Sequence, residues 1–218
     1  MAPIEQTIAA TIHGRYLIEP AAARGAPMLA GFHGYAEPAA VQLARLRAIP
    51  GSEVWTAVSI QGLHRFYQRR TGDVVASWMT SQDRELAIGD NRAYVASAIE
   101  QAWRAQHCAQ GVLFAGFSQG VAMAFRAVSA IPQPVLGVVA VGGDVPPELD
   151  SDALRTIGHV LLMRGARDQF YSQDKWQDDQ RRLRDAGVQV AGIEFDGGHE
   201  WPAPVLDAAS KFLESRRR

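Results

Sequence analysis

Val112-Leu113-Phe114-Ala115-Gly116-Phe117-Ser118-Gln119-Gly120-Val121 decides the fold. Three large apolar residues in a row read as a buried strand. Val121, Ala124, Phe125 and Val128 then recur at helical spacing. Between the two lies a G-x-S-x-G pentapeptide, which puts a serine on a sharp strand-to-helix turn with its hydroxyl raised above the sheet. Such a turn holds the serine in a strained backbone conformation. Glycine two residues to either side removes side chains where strand and helix nearly touch. A G-x-S-x-G by itself says little in a chain with 20 glycines, so the strand–turn–helix context carries the reading.

Outward from this segment, short apolar runs alternate with amphipathic stretches. Strands are predicted at residues 12–18, 27–32, 53–59, 112–116, 135–141, 159–164 and 189–195. Helices are predicted at residues 38–49, 90–107, 119–130 and 172–186, with a last one presenting Val205, Ala209, Phe212 and Leu213. The central strands are continuous apolar runs, as expected of parallel strands covered on both faces. The expected fold class is therefore α/β, a mostly parallel central sheet with helices on both faces. Residues 60–89 fit neither pattern. A stretch of ~30 residues exceeds an ordinary loop, and it reads as an excursion over one end of the sheet near the active-site edge.

The 218 residues, 47% hydrophobic and 21% charged, suit one α/β domain covering 1–218. Lys+Arg 22 against Asp+Glu 23 leaves a net charge of -1, so no basic field favours nucleic acid or an anionic membrane. The single cysteine, Cys108, excludes an internal disulfide framework and a multi-cysteine metal site. No run approaches the ~20 apolar residues of a membrane span. The first twenty residues lack the basic region and apolar core of a signal peptide. Arg216-Arg217-Arg218 reads as a solvated helix end, where cations complement the helix dipole. A cytoplasmic protein is expected.

A serine nucleophile needs a base, since its own acidity leaves almost no alkoxide at neutral pH. Of the six histidines, His199 in Asp196-Gly197-Gly198-His199-Glu200 follows the last strand directly. His13, His107 and His159 fall in or beside regular elements, and His33 and His64 precede Ser118. The acid that orients the imidazole belongs at the same carboxyl edge of the sheet. Asp168, in Arg164-Gly165-Ala166-Arg167-Asp168, meets that condition. Asp144 and Asp196 are its rivals. An oxyanion requires preorganised N–H donors. The Gln119 amide is one candidate, and the Tyr35 amide of His33-Gly34-Tyr35 is the other.

These pieces resemble the small carboxylesterase/phospholipase branch of the α/β-hydrolase superfamily, which includes acyl-protein-thioesterase-like enzymes. The resemblance rests on Phe32-His33-Gly34-Tyr35, Gly116-Phe117-Ser118-Gln119-Gly120, Arg164-Gly165-Ala166-Arg167-Asp168 and Gly198-His199. The loop Val141-Gly142-Gly143-Asp144-Val145-Pro146 adds to it, and it spans roughly residues 26–213. It implies a Ser118, Asp168, His199 triad in the superfamily's chain order, with the Tyr35 and Gln119 amides as oxyanion hole. It also implies ester hydrolysis through an acyl-enzyme, with no metal or organic cofactor, on a small-molecule acyl ester or thioester. An acyl thioesterase and a non-catalytic binding protein on the same fold are the alternatives.

Two departures stand out. Arg164 occupies a position where the family often has histidine, and residues 63–85 do not follow the family's usual segment. In that segment Trp78 and Met79 are expected as substrate-pocket wall, with Phe66 and Tyr67 as weaker candidates. Arg65, Arg69 and Arg70 read as surface charge.

Overall fold

The computed structural model describes residues 3–217, so Arg218 of the terminal arginine run lies outside the described residues. Its centre is β6 (Val112–Phe117), the strand that opens the G-x-S-x-G turn, every residue of which is buried. β6 sits between β2 (Met28–Phe32) and β7 (Val135–Val141) in a seven-stranded sheet. The order continues through β8 (His159–Gly165) and β9 (Gln189–Phe195) on one side. On the other side come β3 (Thr56–Gln61) and then β1 (Arg15–Glu19). All neighbours are parallel except β1, which runs antiparallel to β3.

Successive strand residues point to opposite faces, and the two faces carry separate cores. Ala30, Val58, Phe114, Val138 and Leu162 pack toward α2 (Arg84–Ala105), α3 (Gln119–Val128) and α5 (Gln173–Asp185). Leu29, Ala57, Leu113, Val139 and Leu161 pack toward α1 (Ala39–Ala48) and α6 (Ala203–Arg216). Covered on both faces, the central strands need the unbroken apolar runs seen in the sequence. Among the described residues no helix is long and apolar enough to cross a membrane.

Several elements differ from the sequence reading, among them the strands expected at 12–18 and 53–59, which run Arg15–Glu19 and Thr56–Gln61. α2 begins at Arg84 rather than at residue 90, because its first turns present only Ile88 to the interior and lack an apolar stripe. A short helix, α4 (Ser151–Arg155), caps itself with the Asp150 side chain, which accepts from the Ala153 N–H.

The excursion at residues 60–89 resolves into a hairpin and the start of α2. β4 (His64–Tyr67) pairs antiparallel with β5 (Val74–Ser77) as a separate two-stranded sheet. Its turn closes through Gln68 N–H donating to the Asp73 carbonyl (2.9 Å), with Gly72 at φ +73°. The hairpin then reaches back to the loop after β2. Ala36 N–H donates to the Ala76 carbonyl (3.0 Å), and Ala76 N–H to the Glu37 carbonyl (3.2 Å).

Candidate active site

Ser118 sits at the junction of β6 and α3 with φ 52° and ψ -122°, a conformation that costs energy for any residue but glycine. Its N–H donates to the Val141 carbonyl (2.9 Å), which ties the turn to β7. The flanking glycines are sterically required. A Cβ on Gly116 falls 2.5 Å from the Gly120 carbonyl oxygen, and one on Gly120 falls 2.1 Å from that of Phe32.

At the ends of β8 and β9, His199 Nδ1 lies 2.8 Å from Asp168 Oδ2. The Asp168 side chain is fully buried. Its other oxygen accepts from the N–H groups of Phe170 (2.8 Å) and Tyr171 (3.0 Å), so the acid is held by its own loop. A carboxylate on Nδ1 fixes the tautomer that leaves Nε2 free as an acceptor.

The acid loop is anchored in turn. Tyr171 donates its hydroxyl to Asp179 Oδ2 (2.9 Å), which also accepts the Val145 N–H (3.0 Å). Burial raises the proton affinity of both side chains, and the neighbouring Asp179 charge pushes the phenol up further. Arg164, the departure noted in the sequence, is buried, donates to the Tyr171 carbonyl (3.2 Å) and pairs with Glu194. Of the rival acids, Asp144 is exposed, and Asp196 is exposed and pairs with Arg167.

Ser118 and His199 share one cavity of about 670 Å³ with Gly34 and Tyr35, although no hydrogen bond joins serine to histidine in this structure. Catalytic contacts of this kind often close only around substrate. Phe117, Phe170 and Trp201 give the cavity aromatic walls. Glu37, Arg45 and Glu200 add charge; Glu200 follows His199 in the chain, whereas Glu37 and Arg45 arrive from the loop before α1 and from α1 itself. Glu37 lies just past the His33-Gly34-Tyr35 loop, but only the fold shows that its partner is Arg45, eight residues on.

The Tyr35 and Gln119 amides donate no hydrogen bond within the described residues. Gln119 opens α3, where orphan N–H groups and the helix dipole both favour negative charge. His33, at the base of the Tyr35 loop, is fully buried. Its Nδ1 lies 2.7 Å from the Gly34 carbonyl, and its Nε2 accepts the Gly62 N–H (2.9 Å). Burial lowers its pKa below the usual histidine value, which keeps it a neutral bridge between two backbones.

Trp78 and Met79 lie outside the cavity lining. Trp78 is fully buried beneath the Tyr35 loop, stacked on His33 with ring centroids 5.2 Å apart. Its indole N–H donates to the His33 carbonyl (2.9 Å). Met79 is half-buried, and its carbonyl accepts from the Gln119 side-chain amide (2.9 Å). The oxygen of the same amide accepts the Trp78 N–H (3.0 Å). These bulky residues thus join the core at the hairpin's exit. Phe66 packs against the exposed Tyr35 ring at 5.7 Å, while Tyr67 is exposed.

Comparison with known proteins follows the same lines. A model of the phospholipase/carboxylesterase family matches residues 72–216. Comparison with curated protein sequences gives no match. Among solved structures, esterase PE8 superposes with a TM-score of 0.75 at 20% identity, over 94% of this chain and 99% of that one. Zea mays acyl-protein thioesterase 2 gives 0.72 at 18%, over 94% and 99%. The Bacillus cereus carboxylesterase gives 0.67 at 15%, over 93% and 94%. At such identities the likeness is one of fold.

Proposed function

From the premise that the chain belongs to the phospholipase/carboxylesterase family, we propose that it is a serine hydrolase that cleaves carboxylic esters through an acyl-enzyme on Ser118. The observation that carries this reading is the Asp168–His199 pair at 2.8 Å, whose histidine shares a cavity with a serine on a strained turn. The whole chain acts as one hydrolase domain built on the seven-stranded sheet.

Ser118 Oγ attacks the ester carbonyl carbon and passes its proton to His199 Nε2. Asp168 stabilises the imidazolium through Nδ1–H. Negative charge collects on the carbonyl oxygen, where the Tyr35 and Gln119 amides receive it. Collapse breaks the ester bond, and His199 returns the proton to the leaving alkoxide. Water then repeats the sequence, with His199 taking its proton, to release the acid and restore Ser118.

A thioester serves the same machinery, with a thiol as leaving group. A single free, buried cysteine suits a reducing compartment and supports a cytoplasmic location. Hydrolysis of p-nitrophenyl esters from acetate to laurate tests the reading, with Ser118→Ala as control. Activity lost in the variant is the expected result. Activity that survives it removes Ser118 as nucleophile, and no hydrolysis by the wild type favours a binding protein on this fold.

A further inference from the structure

The cavity has two unlike walls. His199 must hand a proton to the leaving alcohol, so the alcohol lies along the side formed by His199, Glu200 and Trp201. That leaves the side contributed by Gly34, Tyr35, Glu37 and Arg45 for the acyl group. That side carries an ion pair. The Arg45 guanidinium donates to both oxygens of Glu37 (2.6 and 2.7 Å), and the side chains keep 17% and 22% of their exposure. Glu37 also accepts the Gly34 N–H (2.8 Å), which fixes the pair to the loop that carries Tyr35. Arg45 further lies 4.2 Å over the Phe117 ring, covering apolar surface that an alkyl chain would otherwise use.

We infer that the Glu37–Arg45 pair restricts the acyl group to short or polar chains, an inference that rests on the acyl-transfer reading of the same site. An alkyl chain laid against the pair strips its remaining water and returns no hydrogen bond. Arg45 has five N–H groups and commits three of them, two to Glu37 and one to Gln42. A hydroxyl, ether or amide in the acyl chain is therefore the group this wall can solvate. A purely apolar pocket behaves differently, with kcat/KM rising up to about fourfold per added methylene.

The test compares p-nitrophenyl acetate, butyrate, hexanoate and octanoate on the wild type and on a Glu37→Gln/Arg45→Met double variant. The glutamine keeps an acceptor for the Gly34 N–H, and thermal melting checks the fold. The wild type should favour acetate or butyrate, with kcat/KM at octanoate lower by about tenfold or more. The variant's octanoate-to-butyrate ratio should rise by about tenfold. A wild-type optimum at octanoate, or an unchanged ratio in a folded variant, overturns the inference and leaves the hydrolase reading intact.

If the double variant does not fold, wild-type rates on the methoxyacetate and butyrate esters, normalised to their alkaline hydrolysis, decide. The ether should be preferred, and preference for butyrate overturns the inference. Failure of the wild type to hydrolyse any of these esters removes the acyl-transfer reading and the inference with it.

Discussion

The Asp168–His199 pair and the Tyr35 loop, the proposed acid–base and oxyanion sides of the site, are built in opposite ways. Asp168 is gripped by amides two and three residues further along its own loop. The Tyr35 loop is gripped from far away in the chain, by Trp78 through the His33 carbonyl and by Ala76 through Ala36 and Glu37. Gln119 completes that second arrangement, since its side chain holds the hairpin's exit while its amide stands beside Ser118. Local support lets the acid be changed without disturbing the fold. Long-range support makes the oxyanion side depend on the hairpin's own stability.

The largest expected effect breaks the acid–base side alone. Asp168→Asn retains an acceptor for Phe170 and Tyr171 but loses the charge that orients His199. It should lower kcat about 10³–10⁴-fold with a small change in melting temperature. A large loss of stability in this variant would put both sides on the same footing.

Trp78→Ala should strike the other side through the fold, costing about 3–5 kcal/mol in denaturant unfolding for loss of a large buried ring. Trp78→Phe keeps most of the ring but orphans the His33 carbonyl, which should cost about 1 kcal/mol. Its kcat should fall while KM stays nearly constant for every acyl length. A KM that rises with chain length would instead return Trp78 to the pocket wall.

The smallest effect is one of pH. Burial pushes the carboxyls of Glu37 and Glu148 up, but hydrogen bonds from Arg45 to the first, and from Arg126 and Arg84 to the second, outweigh it. Glu37 ends below the usual range and Glu148 at about 2. Groups with depressed folded pKa values contribute stability above the ordinary carboxylate range and lose it as pH falls through the folded value. Glu37 belongs to the loop that carries Tyr35, whereas Glu148 reaches the hairpin's exit only through Arg126, which contacts Met79 Sδ at 3.8 Å. Glu148→Gln should therefore lower the melting temperature at neutral pH and flatten the acid limb between pH about 4.5 and about 2, so that the variant and the wild type converge at the acid end.

The same asymmetry explains what the sequence revealed. Ser118, Asp168 and His199 each follow a strand's carboxyl end, so strand patterning together with the G-x-S-x-G motif singled them out as candidates, although Asp144 follows β7 in the same way. The central sheet was legible because buried parallel strands must be apolar. Trp78 showed only that it is bulky. Its partner, His33, is 45 residues away, and no local pattern says which of two apolar surroundings it joins. The hairpin carried a usable signal in Thr71-Gly72-Asp73, a turn between β-prone pairs, and Gly72 does adopt positive φ. The Glu37–Arg45 pair carried none, since neither an acid on the loop before a helix nor a base in the helix's last turns is unusual.

Ser118 as nucleophile is tested most directly by covalent labelling with a fluorophosphonate, followed by peptide mapping. Labelling should give one adduct, on the Ser118 oxygen, lost in Ser118→Ala and greatly slowed in His199→Ala. Ester hydrolysis with no adduct at Ser118, or with an adduct on another residue, would contradict it.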